Sequence, residues 1–258
     1  MFDEIKPKYD LIYKVKDGVG LPMKIFLPEN YSGDKLPCVL CIHGGGWRGA
    51  IKDNSAWDGS WMTNHAKYYA KNGKIGVSIS YRDLDLSEQT DTCDQIEDCI
   101  DAVKYIKENV KEADFDRLCF IGDSAGAHLA LAAAFMADAD LRPYKIAACN
   151  PVTDLTAQTW KDTAKTEEKR RLISPLYIID TMELKGRMPE ILCMHGDKDT
   201  VVPIADTIAF SKKLNEHGIK SEMITIEGAQ HAFILWGYTA REEDVNKCMK
   251  KIDEFFFE

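Results

Sequence analysis

Apolar residues recur at three- and four-residue steps through Ile96, Ile100, Val103, Ile106 and Val110, the spacing that lines one face of an α-helix. Thr92 and Gln95, three apart just before this stripe, form a capping-box signal that predicts where the helix opens. A second stripe, Val245, Met249, Ile252 and Phe256, predicts a final helix. The Ala- and Leu-rich run over 125–136 predicts a helix, and Pro203 with Gly218 brackets another, because proline suits a first helical turn and glycine a stop. Elsewhere a last strand is predicted over 222–226, and the pattern otherwise changes to short continuous apolar runs at 37–42, 75–81, 118–121, 146–149 and 191–194. These read as strands buried on both faces. Two earlier segments, 9–15 and 21–27, read as strands joined by a turn at Asp17-Gly18.

Two strands followed by strands alternating with helices imply the α/β class. The expected architecture is one mainly parallel eight-stranded sheet with helices on both faces. With no repeat, low-complexity tract or linker in the 258 residues, residues 1–258 are expected to form a single domain. The irregular region 155–187 is long for a structureless loop. A small helical insertion, acting as a lid, is expected there.

Composition narrows the function classes. Hydrophobic residues make up 45% and charged residues 29%, with a net charge of −9, as in an ordinary soluble globule. No basic cluster points to nucleic acid or an anionic membrane. The opening "MFDEIKPKYD" has no apolar signal core, and no apolar stretch approaches the roughly 18 residues of a membrane span. A cytoplasmic location is the expectation. Of eight cysteines, Cys38, Cys41, Cys119, Cys149 and Cys193 lie in strand-like runs, and Cys93, Cys99 and Cys248 in helical patterns. Free buried thiols are the reading that fits. Cys38 and Cys41, three apart on a strand, would point to opposite faces, which argues against a metal or redox pair.

The glycine-rich stretch Cys41–Gly49, "CIHGGGWRG", admits two readings. Gly44, Gly46 and Gly49 fit a dinucleotide fingerprint, whereas His43 to Gly46 fit a loop that gives backbone N–H groups to an oxyanion. A dinucleotide loop should open a helix directly and follow the first strand of its fold. Here "AIKDNSAWDGS" follows, which is no helix start, and two strands precede.

The run "LCFIGDSAGAHLA" places Gly122-Asp123-Ser124-Ala125-Gly126 between a buried strand and a helix. A serine there can be a plain helix cap. A sharp strand-to-helix turn would instead present its hydroxyl at a helix N-terminus, flanked by glycines that allow close packing. A serine nucleophile needs a base. His231, in "EGAQHAF" after the last strand, is the candidate. His217 reads as a helix cap, His128 as pointing along the serine's helix, His65 as part of a surface helix, and His195 as shaping the loop after its strand. The base needs an acid. Asp154, Asp197 and Asp199 all follow strands, at the edge where open α/β sheets build their sites. Asp199, near the top of its loop, is the candidate. His195, Asp197 and Asp199 lack the further ligands a metal site would need.

The order nucleophile, acid, base is then Ser124, Asp199, His231, the order expected of α/β-hydrolases. That order favours the oxyanion reading, with the N–H groups of Gly45 and Gly46 joining that of Ala125. Taken together, "HGGGW", "VSISYR", "GDSAGAHLA", "NPVTDL", "HGDKDTVVP" and "QHAF" resemble the α/β-hydrolase-fold esterases of the hormone-sensitive-lipase and acetyl-esterase/feruloyl-esterase type, over about residues 37–233. The resemblance implies a serine carboxylesterase with no metal or organic cofactor. The short N-terminal region, and Trp47 where many such proteins carry Phe, point to the smaller carbohydrate-acyl branch. Acetyl or hydroxycinnamoyl esters of plant-derived sugars are then the expected substrates, with Trp47, Trp57 and Trp61 as a candidate aromatic wall. A small-molecule ester is the expected partner, with no nucleic acid and no membrane; pairing with a second copy stays open. An amide hydrolase with the same three residues is the alternative. A non-catalytic ligand-binding relative, which should lack one of them, is another.

Overall fold

The computed structural model describes residues 2, 4–16, 18–48, 62–84, 90–182, 186–238 and 240–258. Among these, eight strands form one sheet: β1 (Tyr9–Lys16), β2 (Val19–Phe26), β3 (Leu36–Ile42), β4 (Ile75–Ile79), β5 (Ala113–Asp123), β6 (Lys145–Cys149), β7 (Glu190–Gly196) and β8 (Ser221–Ile226). Their spatial order is β1-β2-β4-β3-β5-β6-β7-β8. β1 and β2 are antiparallel to their neighbours, and every pairing from β4 onward is parallel. The helices are α1 (Met62–Lys71), α2 (Thr92–Asn109), α3 (Ala125–Met136), α4 (Glu167–Leu172), α5 (Pro175–Thr181), α6 (Ile204–Glu216) and α7 (Glu242–Phe257). This is the α/β-hydrolase architecture.

The continuous apolar runs follow from two-sided burial. In β3, Cys38, Leu40 and Ile42 face the core shared with α2, α3 and α6, while Val39 and Cys41 face the core shared with α1 and α7. Cys38 and Cys41 thus point to opposite faces, and all eight cysteines are free thiols. Burial pushes the Cys149 and Cys193 thiols up, the latter to about 12, so neither forms a thiolate at neutral pH.

Three expectations need correction. The helix α2 opens where the pattern placed it, but Asp91 is its cap. The Asp91 carboxylate accepts the Cys93 N–H at 2.9 Å and the Asp94 carboxylate accepts the Asp91 N–H at 3.0 Å. Thr92 and Gln95 turn inward, where Thr92 donates to Thr163 O and Gln95 to the carbonyls of Trp47 and Arg82. His65 is fully buried on α1 and bonds Ile234 O through Nε2, rather than sitting on the surface. β5 begins five residues earlier than its apolar run, because its first half carries the charged residues Asp114, Asp116 and Arg117.

The region between β6 and β7 folds as a 3-10 segment (Gln158–Thr163) followed by α4 and α5. Ser174 anchors it: its hydroxyl accepts the Leu155 N–H and donates to Arg170 O.

Candidate active site

The sheet gathers the chemistry at the carboxyl ends of its parallel strands. Ser124 follows β5, the glycine loop follows β3, Asp199 lies three residues beyond β7, and His231 lies five beyond β8.

Ser124 sits at φ 55°, ψ −121°, between the strand and α3. A non-glycine residue in this region is strained, typically by about 1–3 kcal/mol, and needs its surroundings to hold it. The flanking glycines make the turn fit. A Cβ at Gly122 would collide with the Gly126 carbonyl, and one at Gly126 with the Ile42 carbonyl. Ala125 opens α3, so its N–H has no partner within the helix.

The Ser124 Oγ lies 2.9 Å from His231 Nε2, and His231 Nδ1 lies 2.7 Å from Asp199 Oδ2. The Asp199 carboxylate is fully buried and the His231 side chain 17% exposed. An ionised carboxylate only accepts, so the proton sits on Nδ1 and the Nε2 lone pair accepts from the serine hydroxyl. Burial alone would raise the Asp199 carboxyl. The Val202 N–H, the His231 ring and the Val201 N–H outweigh that and hold it below the usual carboxylate range. The other two carboxylates do different work. Asp197 Oδ1 accepts the Gly228 N–H at 2.7 Å, bracing the loop that carries His231 instead of capping its own turn. Asp154 accepts from the Thr156 backbone and hydroxyl and from Tyr177 Oη.

The glycine loop needs its glycines for two reasons. At Gly44 the need is steric, since a Cβ would stand 2.6 Å from Asp123 O and 3.2 Å from the Ser124 Cβ. Gly45 and Gly46 instead adopt φ of 98° and 65°, and the Cβ position of Gly46 is open. A Cβ at Gly45 would also stand 3.0 Å from the Arg48 carbonyl, and at both positions the positive φ is a conformation that glycine adopts at no steric cost. Trp47 is 2% exposed and is committed to the core, not to a wall facing substrate. Its ring packs edge-on against Trp160 and His128, and its N–H lies 3.2 Å from His128 Nδ1. That contact makes Nδ1 the acceptor and Nε2 the donor, to Ile173 O at 2.9 Å. His128 therefore does not merely run along its helix; it joins the glycine loop to the insertion. Burial pushes His128 down to about 4, which keeps it neutral. Trp57 and Trp61 lie outside the described residues.

Two polar residues around the serine carried no sequence signal of their own. Asp123 is 2% exposed, and Oδ1 accepts from the Asn150 amide at 3.0 Å. Asn150 Oδ1 in turn accepts the N–H of Ala232, next to His231. Among the described residues, the non-glycine positions at positive φ are Trp47, Ser124, Asn150 and Ala232. All four adjoin this site, so the backbone strain of the fold collects here.

Residues 23–158 match the family model described as BD-FAE. A probable isoprenylcysteine alpha-carbonyl methylesterase of Arabidopsis thaliana is 24% identical, over 81% of this chain and 48% of its own length. The esterase LipQ of Mycobacterium tuberculosis is 28% identical, over 81% of this chain and 53% of its own. The chain spans about half the length of these curated relatives. Esterase 2 of Thermogutta terrifontis shares the fold, with a TM-score of 0.79 at 23% identity, covering 96% of this chain and 92% of that one. No described helix is long and apolar enough to cross a membrane. The matched region exceeds half of the chain, and the chain belongs to the BD-FAE family of α/β-hydrolase-fold esterases.

Proposed function

We propose that the protein is a serine carboxylesterase in which Ser124, His231 and Asp199 act as one unit. The observation that carries this reading is the hydrogen-bonded chain from Ser124 Oγ through His231 to the buried Asp199, with steps of 2.9 and 2.7 Å. Ser124 Oγ attacks the ester carbonyl while His231 Nε2 takes its proton. Asp199 holds the Nδ1–H tautomer and stabilises the imidazolium. The carbonyl oxygen becomes an oxyanion, received by the N–H groups of Gly45, Gly46 and Ala125. His231 then protonates the leaving alcohol, and the acyl-serine forms. Water deprotonated by His231 attacks that acyl group, and the carboxylic acid leaves as Ser124 regains its proton.

The substrates are small acyl esters, with acetyl or hydroxycinnamoyl esters of plant-derived sugars as the specific class. The family supports ester chemistry, and the Thermogutta esterase, whose likeness is one of fold, has been solved with propionate and with butyrate bound. The test is a panel of p-nitrophenyl esters from acetate to laurate, with acetylated xylo-oligosaccharides and methyl ferulate. Turnover should be greatest at short chains and should fall at least about a thousandfold in Ser124→Ala while the fold is kept. A maximum at decanoate or longer overturns the acyl class. Residual activity within tenfold of the parent, by order of magnitude, overturns the assignment of Ser124.

A further inference from the structure

Asp199 Oδ2 faces two imidazoles. His231 Nδ1 lies 2.7 Å away, and His195 Nε2 lies 3.1 Å away. His195 is fully buried at the end of β7. Its Nε2 also lies 3.0 Å from Val202 O, and its Nδ1 lies 2.8 Å from Thr207 Oγ1 on α6.

These contacts fix its tautomer. Two acceptor oxygens, a carbonyl and a carboxylate, face Nε2, so Nε2 must carry the proton. The opposite tautomer would set a nitrogen lone pair against both. Nδ1 then accepts from the Thr207 hydroxyl. Burial lowers the His195 imidazole, and the pull of Asp199 in the other direction does not offset it. The ring is neutral at neutral pH, and its one N–H, which bonds Val202 O, also lies against the acid's Oδ2 at 3.1 Å. With the Val201 and Val202 N–H groups on Oδ1, every face of the buried carboxylate meets a donor.

We propose that His195 is a positioning residue of the site: its Nε2–H holds the acid in place and limits how strongly Asp199 Oδ2 draws the proton of His231. The proposal rests on the reading of Asp199 and His231 as acid and base. The donor on Oδ2 competes with His231 for the same oxygen. Removing it leaves more of the carboxylate charge for the imidazolium, so the basicity of His231 rises. The other titratable groups facing this cluster are Asp123 on β5 and Asp206 on α6. Neither is altered in the test.

Three measurements decide the matter in the full chain. Long-range proton–nitrogen spectra of the unaltered protein should show His195 as the neutral Nε2–H tautomer at neutral pH and above. The Nδ1–H tautomer overturns the proposal without any variant. In His195→Leu, the histidine titration assigned to His231, read without substrate, should move up by about half a pH unit or more. In the same variant kcat on p-nitrophenyl acetate should fall about 10- to 100-fold with KM little changed, the scale of an ångström-level misplacement. His195→Gln, whose amide keeps an N–H near the same place, should restore both. A kcat loss without movement of the His231 titration marks a packing role only and overturns the proposal. If His195→Leu does not fold, the tautomer and the His195→Gln titration still decide. Absence of turnover in the unaltered protein would count against the esterase reading alone, because the titrations need no substrate.

Discussion

Asn150 donates its side-chain amide to Asp123 Oδ1 at 3.0 Å, deep beneath the strained turn that carries Ser124. Through its own Oδ1 it also accepts the Ala232 N–H at 3.2 Å. One side chain therefore ties the residue before the serine to the residue after the histidine. Asn150→Ala should leave a buried carboxyl and a buried N–H without partners. Stability should fall by about 1–3 kcal/mol, read as the midpoint and slope of urea unfolding. Because the base loop is freed at one end, kcat should drop by about tenfold or more while KM changes little. An unaltered kcat would show that other contacts hold the loop.

Asp123 also predicts a pH dependence. Burial pushes its carboxyl up from 3.8 to about 6, although the Asn150 amide and the His231 charge pull it down. The folded protein thus binds a proton that the unfolded chain has released. The stabilisation this gives is complete below the unfolded value and is lost as pH rises through the folded one. Across that window, stability should decline by up to about 3 kcal/mol from this group, at about 1.4 kcal/mol per pH unit. Asp123→Asn keeps an acceptor for Asn150 but cannot ionise. Its urea midpoints between about pH 4 and about pH 6 should lack this component of the decline. An identical profile in both proteins would show that Asp123 does not titrate there.

The three carboxylates after strands should separate cleanly. Asp199→Asn should lose on the order of 10⁴ in kcat with KM little changed, because the imidazole loses the partner that fixes its tautomer. Asp197→Asn should act mainly on stability and on the loop after β8, since its partner is the Gly228 N–H. Asp154→Asn should be milder still, because its bonds serve Thr156 and Tyr177. Rates and melting points measured side by side check the assignment. If Asp199→Asn keeps more than about a tenth of the activity while one of the others is folded and inactive, the acid lies elsewhere.

Two glycines of the site should respond differently to alanine. At Gly126 a Cβ meets the backbone oxygens of Ile42 and His43, neither of which can give way without moving β3. Gly126→Ala should destabilise by about 3 kcal/mol or more, in the range of severe core defects. At Gly46 the Cβ position is open, so Gly46→Ala meets only the cost of φ 65°, about 1–2 kcal/mol. Chemical unfolding of both variants gives the comparison directly. Similar losses would show that space is not what sets the requirement at position 126.

What the chain determines by itself is what is written in local pattern. Two-sided burial demands unbroken apolar runs, so β3, β4, β6 and β7 could be read directly. The apolar stripes of α2 and α7 and the proline and glycine around α6 report contacts within a single element. Gly122 to Gly126 stood out for the same reason, as a strand, a tight turn and a helix adjacent in sequence. Only the tertiary structure decided which polar groups meet. Ser124, Asp199 and His231 are brought together by the parallel sheet from segments up to 107 residues apart. Thr92 and Gln95 fit a local capping pattern, yet they serve Thr163 and the Trp47 carbonyl across the fold while Asp91 caps the helix. His65, His128 and Trp47 are buried because other elements close over them, which no local periodicity records. The same holds for Asn150 and His195. A hydrogen bond needs only one well-placed partner, and a partner distant in the chain leaves no period in the sequence around it.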